Sequence, residues 1–323
     1  MPALSLVVCI FRERDLLERL LHESSDLYDD LVVVHDGPEV DNGAPLLLVK
    51  APAKEMALDD GALVPEAPPP TFYKTPPLPP RSGSIHELVM QHQGRYFEGP
   101  RCYQQEPHWP FSWWQAKNDW ILRLDADESP SKELMEWLHR FRDSSDPKDN
   151  ISGYTCIWPL WNGTRTVTTR WPFGRIFLFN KHKVRFFGMA EQVPIPDLLF
   201  EPLDLVLHHR PKRKSYGVRN VLFRRQAYVW RQVIAQSLMG KPTDLPRWRW
   251  TSDEWPEFWC KLRRHPLRFA FATLVRFPLR QFKGMISVGQ FPLISECLNP
   301  GLHHFMQGLR VFVEKWNRRV RNQ

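Results

Sequence analysis

Three carboxylates, Asp125, Asp127 and Glu128, close the run Trp-Ile-Leu-Arg-Leu-Asp-Ala-Asp-Glu that spans residues 120–128. Asp125 and Asp127 stand two apart, so in extended backbone their side chains point the same way. Like charges so placed are held best with a cation between them. Hard oxygen donors of this kind suit Mg²⁺ or Mn²⁺ beside the phosphates of a substrate. The alternative is an acidic loop capping the helix announced by Ser129-Pro130-Ser131-Lys132-Glu133. Other groups able to bind or to move protons close other stretches of the chain. Glu13 follows an apolar run at 4–11, Asp36 follows Val32-Val33-Val34-His35, Glu191 follows Gly188-Met189-Ala190, and His208 and His209 end an alternating stretch at 203–209.

The elements that must position these groups are legible in outline. Residues 4–11 are almost wholly apolar and rich in β-branched side chains, as in a strand covered on both faces. A helical pattern through Leu16, Leu17, Leu20 and Leu21 follows, and then a second strand at 30–35. Strand, helix, strand within forty residues predicts a βαβ unit and a parallel sheet. Ligands of such sheets bind beyond the carboxyl ends of the strands, where Glu13, Asp36 and the Asp125 cluster fall and could share one crevice. Prolines interrupt residues 51–81, which read as a loop or linker. Helices are expected at 84–93, 111–118 and 131–141, and strands at 153–158, 175–180 and 203–209. Asn162-Gly163-Thr164 reads as a turn, although it matches a glycosylation sequon. Alternation sets Leu203, Leu205 and Leu207 on one face and His208 on the other, and leaves open which histidine faces the carboxylates.

Composition narrows the class. A chain of 323 residues with 42% hydrophobic content can bury a sizeable core, and its net charge of +8 suggests a polyanionic neighbour. Cys9, Cys102, Cys156, Cys260 and Cys297 are scattered, odd in number and never paired as C-x-x-C, so neither a disulfide framework nor a zinc site is indicated. A reducing, cytoplasmic location is expected, since no signal peptide and no apolar run of ~20 residues is found. Beyond residue 210 the chain turns helical and basic, beginning with a long helix at 215–239. Arg264, Arg268, Arg276, Arg280 and Lys283 lie nearly on one helical stripe among Leu and Phe residues, and Pro278 is expected to kink or divide that helix. Such a stripe fits either a helix at an anionic membrane surface or a packed helix with a solvated basic face.

The order of an apolar strand with Arg12-Glu13, then Val32-Val33-Val34-His35-Asp36-Gly37, then the run at 120–128 resembles the GT-A glycosyltransferases of family 2. The likeness is nearest to the bacterial enzymes that build cell-surface glycans and lipopolysaccharide cores. It covers roughly residues 4–209 and is weakest over 51–110. The resemblance implies an α/β, Rossmann-like fold with a mostly parallel central sheet over residues 1–210, a donor half at about 1–128 and an acceptor half at 129–210. A basic helical region at 211–323 would follow. It further implies an inverting, metal-dependent transfer of one sugar from a nucleotide-diphosphate sugar to a hydroxyl of a glycan or glycolipid.

Matched position by position, Glu13, Asp36 and Asp125 would hold the nucleoside. Asp125 and Asp127, with His208 as the late histidine, would hold Mg²⁺ or Mn²⁺, and Glu191 would take the proton of the acceptor hydroxyl. Arg210, Lys212 and Arg213 could meet the diphosphate. Where the family commonly has Asp-Asp-Gly-Ser this chain has His35-Asp36-Gly37-Pro38. Without the third motif, Glu13 and Asp36 would read as capping and turn residues, and Glu191 as a surface acid before a Pro-rich turn. The Gln-x-x-Arg-Trp motif of processive synthases is absent. A sugar nucleotidyltransferase is the rival enzyme, but residues 11–15 contain no glycine to cradle phosphate. A nucleic-acid binder would draw on the net charge and on Arg-Trp-Arg-Trp at 247–250, though carboxylates at the sheet's edge would repel a phosphate backbone.

Overall fold

The computed structural model of the protein describes residues 2–40, 73–144, 149–162, 164–168, 174–211 and 218–321. Most of the proline-rich stretch, together with Lys212 and Arg213, lies outside the described residues. The chain forms two compact units: residues 1–157, 174–210 and 246–250 make the first, and 158–173, 211–245 and 251–323 the second. Two short segments thus cross the boundary drawn at residue 210 from the sequence.

The first unit is an α/β layer structure. Strand β1 (Leu4–Ile10) runs into helix α1 (Arg14–Glu23), whose Leu16, Leu17, Leu20 and Leu21 are buried, and then into β2 (Asp30–His35), buried throughout. Helix α2 (Ile85–Gln91) starts at Ser84, whose hydroxyl accepts the Glu87 N–H at 3.0 Å, and leads into β3 (Arg95–Glu98). Helix α3 (Trp109–Gln115) precedes β4 (Trp120–Arg123) and the short β5 (Glu128–Pro130). Helix α4 (Lys132–Asp143) is capped by Ser131, which accepts the Leu134 N–H. The unit continues, after β6 (Gly153–Ile157), with strands that follow the hairpin of β7 (Leu160–Trp161) and β8 (Thr166–Val167) in the second unit. These are β9 (Arg175–Asn180), β10 (Val184–Phe187), β11 (Ile195–Pro196) and β12 (Phe200–His209).

Eight of these strands form one sheet in the order β3-β2-β1-β4-β9-β6-β12-β5. Neighbours from β3 to β4 are parallel, β9 is antiparallel to both β4 and β6, β6 and β12 are parallel, and β5 is antiparallel to β12. The parallel half follows from the βαβ start. Because β1 has β2 on one side and β4 on the other, the chain reverses its direction of winding there, and in sheets of this kind ligands bind beyond the carboxyl ends at such a point. The opposite end is pinned by the buried Asp30 carboxylate. It accepts from Ser5 Oγ at 2.8 Å and Lys117 N at 2.9 Å, and pairs with Arg95 at 2.7 Å.

The Arg-Trp-Arg-Trp run is part of this unit. Its first half is β13 (Arg247–Trp248), paired with β10, and Trp248 is buried with its indole N–H donating to the Lys181 carbonyl at 2.7 Å. Trp248 and Trp113 meet edge to face at 6.0 Å, and Trp250 is buried against Phe187. Neither indole is presented for stacking on a base.

The second unit is helical apart from the β7–β8 hairpin. Asn162 forms the turn expected of it, its Oδ1 accepting the N–H groups of Thr164 at 2.9 Å and Arg165 at 2.8 Å. The single helix expected at 215–239 is two, α5 (Val218–Phe223) and α6 (Arg225–Ser237), because Arg224 adopts extended backbone between them. They are followed by α7 (Glu257–Arg264), α8 (Pro266–Ile286) and α9 (Ile294–Arg321). Helix α8 runs through Pro278 undivided. Gly301 of α9 makes room for the proline ring, since a Cβ there would lie 2.7 Å from Pro278 Cδ.

Candidate functional site

The carboxyl ends of β1, β2 and β4 gather the acidic residues singled out in the sequence. Cys9, one residue before the end of β1, marks the meeting point. Burial pushes its thiol well up, and the charges of Asp125, Glu106 and Asp36 push it further. Glu13 is the N-cap residue of α1 and is exposed; its carbonyl accepts from Leu16 and Leu17, while its carboxylate makes no capping hydrogen bond.

Asp36 is more deeply engaged than a nucleoside-holding role requires. Its carboxylate accepts the N–H groups of Cys102 at 2.5 Å and Tyr103 at 2.9 Å, pairs with Arg101 at 3.0 Å, and meets His108 Nε2 at 3.1 Å. It therefore anchors the 101–108 segment over the end of β2. Gly37 is needed beside it: its φ is +87°, and a Cβ would lie 3.0 Å from Arg101 Cδ. His35, which stands where the family commonly has Asp, also has a structural task. Nδ1 faces the Gly37 carbonyl at 2.7 Å and so carries the proton, while Nε2 accepts the Arg12 N–H at 3.2 Å. Burial holds this imidazole below its ordinary pKa, consistent with the neutral tautomer.

At the end of β4 two arginines, Arg123 buried and Arg175 partly so, stand among the acids. Arg175 on β9 reaches Asp125 Oδ2 at 2.6 Å and Glu128 Oε1 at 2.9 Å, and Glu128 in turn accepts the Asp125 N–H at 2.7 Å. Arg123, only 2% exposed, lies over the Trp109 ring at 4.4 Å and donates to the Ile176 carbonyl at 2.8 Å. Burial alone would raise Asp125, but Arg175 and Arg123 hold it below the usual carboxylate range. The first aspartate of the pair is thus already neutralised by protein cations.

Asp127 is placed differently. Its carboxylate, about a fifth exposed, meets His209 Nε2 at 3.2 Å, and its carbonyl accepts the Arg210 N–H at 2.7 Å. The antiparallel register sets His209 opposite Glu128 and His208 opposite Ser129. The histidine that meets Asp127 is thus His209 and not His208, which feels Arg210 and Glu133 instead. Burial lowers the His209 pKa, but the hydrogen bond to Asp127 and the charges of Asp127, Glu128 and Asp125 outweigh it and leave the imidazole above its ordinary value.

Glu191 sits in a turn after β10 with φ of +61°, a left-handed conformation that costs a non-glycine residue on the order of 1–3 kcal/mol. Its N–H is held at 2.7 Å by Oε1 of Glu106, a residue that sequence reasoning missed. Glu106 precedes Pro107 and His108 in a short 3₁₀ turn before α3 and carries no motif. The one available signal was an acid next to an aromatic, proline-rich helix start. Burial pushes Glu106 to about 7; its own backbone N–H and that of Glu191 pull it down, and the Glu191 and Asp125 charges push it up.

A pH prediction follows from Glu106. Its folded pKa stands above the ordinary 4.5, so the unfolded chain holds fewer protons across that interval. The stabilising contribution is fully present below 4.5 and is lost as pH rises through about 7. Glu106→Gln should flatten the decline of unfolding free energy over this window in urea titrations at stepped pH, and an unchanged slope would refute the assignment.

No protein-family model matches this chain, and no curated protein does either.

Proposed function

We propose that the first unit is a GT-A-type glycosyltransferase domain that moves one sugar, with inversion, from a nucleotide-diphosphate donor to a hydroxyl of a glycan or glycolipid. The observation that carries this reading is the meeting of Asp127 and His209 at 3.2 Å, in the turn from β4 to β5 where β5 pairs with the end of β12. One carboxylate oxygen and one imidazole nitrogen, on side chains 21% and 10% exposed, form a donor pair that fits Mn²⁺ or Mg²⁺. Asp127 and His209 would hold this cation, whereas Asp125, paired with Arg175, would orient the site. When bound, the cation offsets charge on the departing diphosphate.

The remaining work falls to the protein's own side chains. Glu191, exposed and set in its strained turn, takes the proton of the acceptor hydroxyl as the hydroxyl oxygen attacks the anomeric carbon and the nucleoside diphosphate leaves. Glu106 acts behind it, holding the Glu191 N–H and fixing the direction of that side chain. Glu13, exposed at the start of α1, would meet the nucleoside. Asp36 serves it indirectly by anchoring the segment that carries Arg101 and Tyr103.

Calorimetric titration of UDP, GDP, CDP and dTDP, with Mn²⁺ and with chelator, tests the proposal. One nucleotide should bind in a metal-dependent manner and Asp127→Ala should lose it. His209→Ala should weaken the metal-dependent affinity roughly 10- to 100-fold while His208→Ala leaves it unchanged. Equal effects of the two histidine variants would reject the donor pair, and failure of every nucleotide to bind would reject the transferase reading.

A further inference from the structure

Helix α8 is amphipathic in the wrong sense for a helix covered only by water and protein. The face it buries is mostly small or polar, Ala270, Thr273, Gln281 and Gly284 beside Pro266 and Met285. The face it exposes carries Leu267, Phe271, Val275, Leu279, Phe282 and Ile286, with Phe271 and Val275 each 61% exposed. At spacings of four and three these side chains form one stripe along a helix of 21 residues, roughly 30 Å long. A contiguous exposed stripe of this kind marks an interaction surface, because hydrophobic burial would otherwise turn it inward.

Charge decides what covers it. Helix α8 contains Arg268, Arg276, Arg280 and Lys283, all exposed, and no acidic residue. At its N-terminal end a cleft of about 290 Å³ is lined by Leu267, Arg268, Phe312, Lys315, Trp316 and Arg319. Three basic groups thus surround a space walled by two aromatic rings, a lining that suits the phosphate and glycerol of a lipid headgroup. Among the described residues no helix is long and apolar enough to cross a membrane.

We propose that α8 is an interfacial anchor: its Phe, Leu, Val and Ile stripe sinks into the acyl boundary of an anionic lipid bilayer, with Arg268, Arg276, Arg280 and Lys283 on the phosphates and one headgroup in the cleft beside Trp316. This goes beyond the transfer reaction and does not depend on it.

Co-sedimentation of the full chain with vesicles of phosphatidylcholine, alone or mixed with phosphatidylglycerol, provides the test. Binding should require the anionic lipid and fall as salt rises. The triple variant Val275→Ser, Leu279→Ser and Ile286→Ser should weaken vesicle affinity at least about tenfold while the far-UV circular dichroism of the folded chain is retained, since these side chains are about half or more exposed. Arg276→Gln with Arg280→Gln, which keeps the stripe, should weaken it by roughly tenfold on anionic vesicles. Absence of binding to anionic vesicles would overturn the proposal. So would light scattering that shows a lipid-free dimer made monomeric by the triple variant, because a second copy would then be the occupant.

Discussion

Replacing Arg175 with methionine is expected to destabilise the protein by about 3–5 kcal/mol, the usual cost of leaving buried charges without their partner. Arg175 pairs at once with Asp125 and with the fully buried Glu128, whereas Arg123 beside them acts on Asp125 only through its charge and makes its hydrogen bond to the Ile176 carbonyl. Removal would strand two carboxylates at the carboxyl end of the sheet. Chemical denaturation reads the loss directly, and adding Asp125→Asn and Glu128→Gln to the variant should restore much of it by removing the orphaned charge. A loss under about 1 kcal/mol would mean that water reaches these groups and that the network is not closed. The two acids of the network respond to pH with opposite signs, since burial pushes Glu128 up to about 7. Asp125 is held below the ordinary carboxylate range, so its contribution is present above that range and is lost as pH falls through its folded value.

The second large effect concerns Glu191. Once nucleotide binding has identified the donor, Glu191→Gln should reduce release of the nucleoside diphosphate in the presence of acceptor by ~10²- to 10⁴-fold, the range for loss of a general base. Donor affinity should be nearly unchanged, because the nucleotide is held elsewhere. Glu106→Gln should behave differently. Its amide can still accept the Glu191 N–H, so turnover should fall much less. Unaltered turnover in Glu191→Gln would remove this residue from the chemistry, and equal collapse of both variants would move the proton acceptor to Glu106.

The parts of the fold that were legible are those whose information is local. Period-two and wholly apolar runs marked β1, β2 and β4, because a strand covered on both faces has no polar position to offer. Ser84 and Ser131 marked helix starts, because a hydroxyl there satisfies an N–H that the helix cannot. The split between α5 and α6 was missed, since Arg224 carries no breaker chemistry and its extended backbone is imposed from outside the segment. Arg247-Trp248 suggested exposure by composition, yet tertiary pairing with β10 buried the indole.

In the site the same division holds. Sequence by itself determined which acids stand at strand ends: the two-residue spacing of Asp125 and Asp127, and the places of Glu13, Asp36 and Glu191 after their apolar runs. It also held an unused hint about the histidines. Leu203, Leu205 and Leu207 are the apolar face of β12, and His209 continues that face. Only the tertiary structure decided which charged partners Asp125, Asp127 and Glu191 take from elsewhere, because those contacts join residues distant along the chain. Arg175 comes from β9 to neutralise Asp125, the β5–β12 register brings His209 to Asp127, and Glu106 approaches Glu191 across 85 positions. A charge's role depends on what lies within a few ångströms of it, and those distances are set by sheet order and register, which no local pattern encodes.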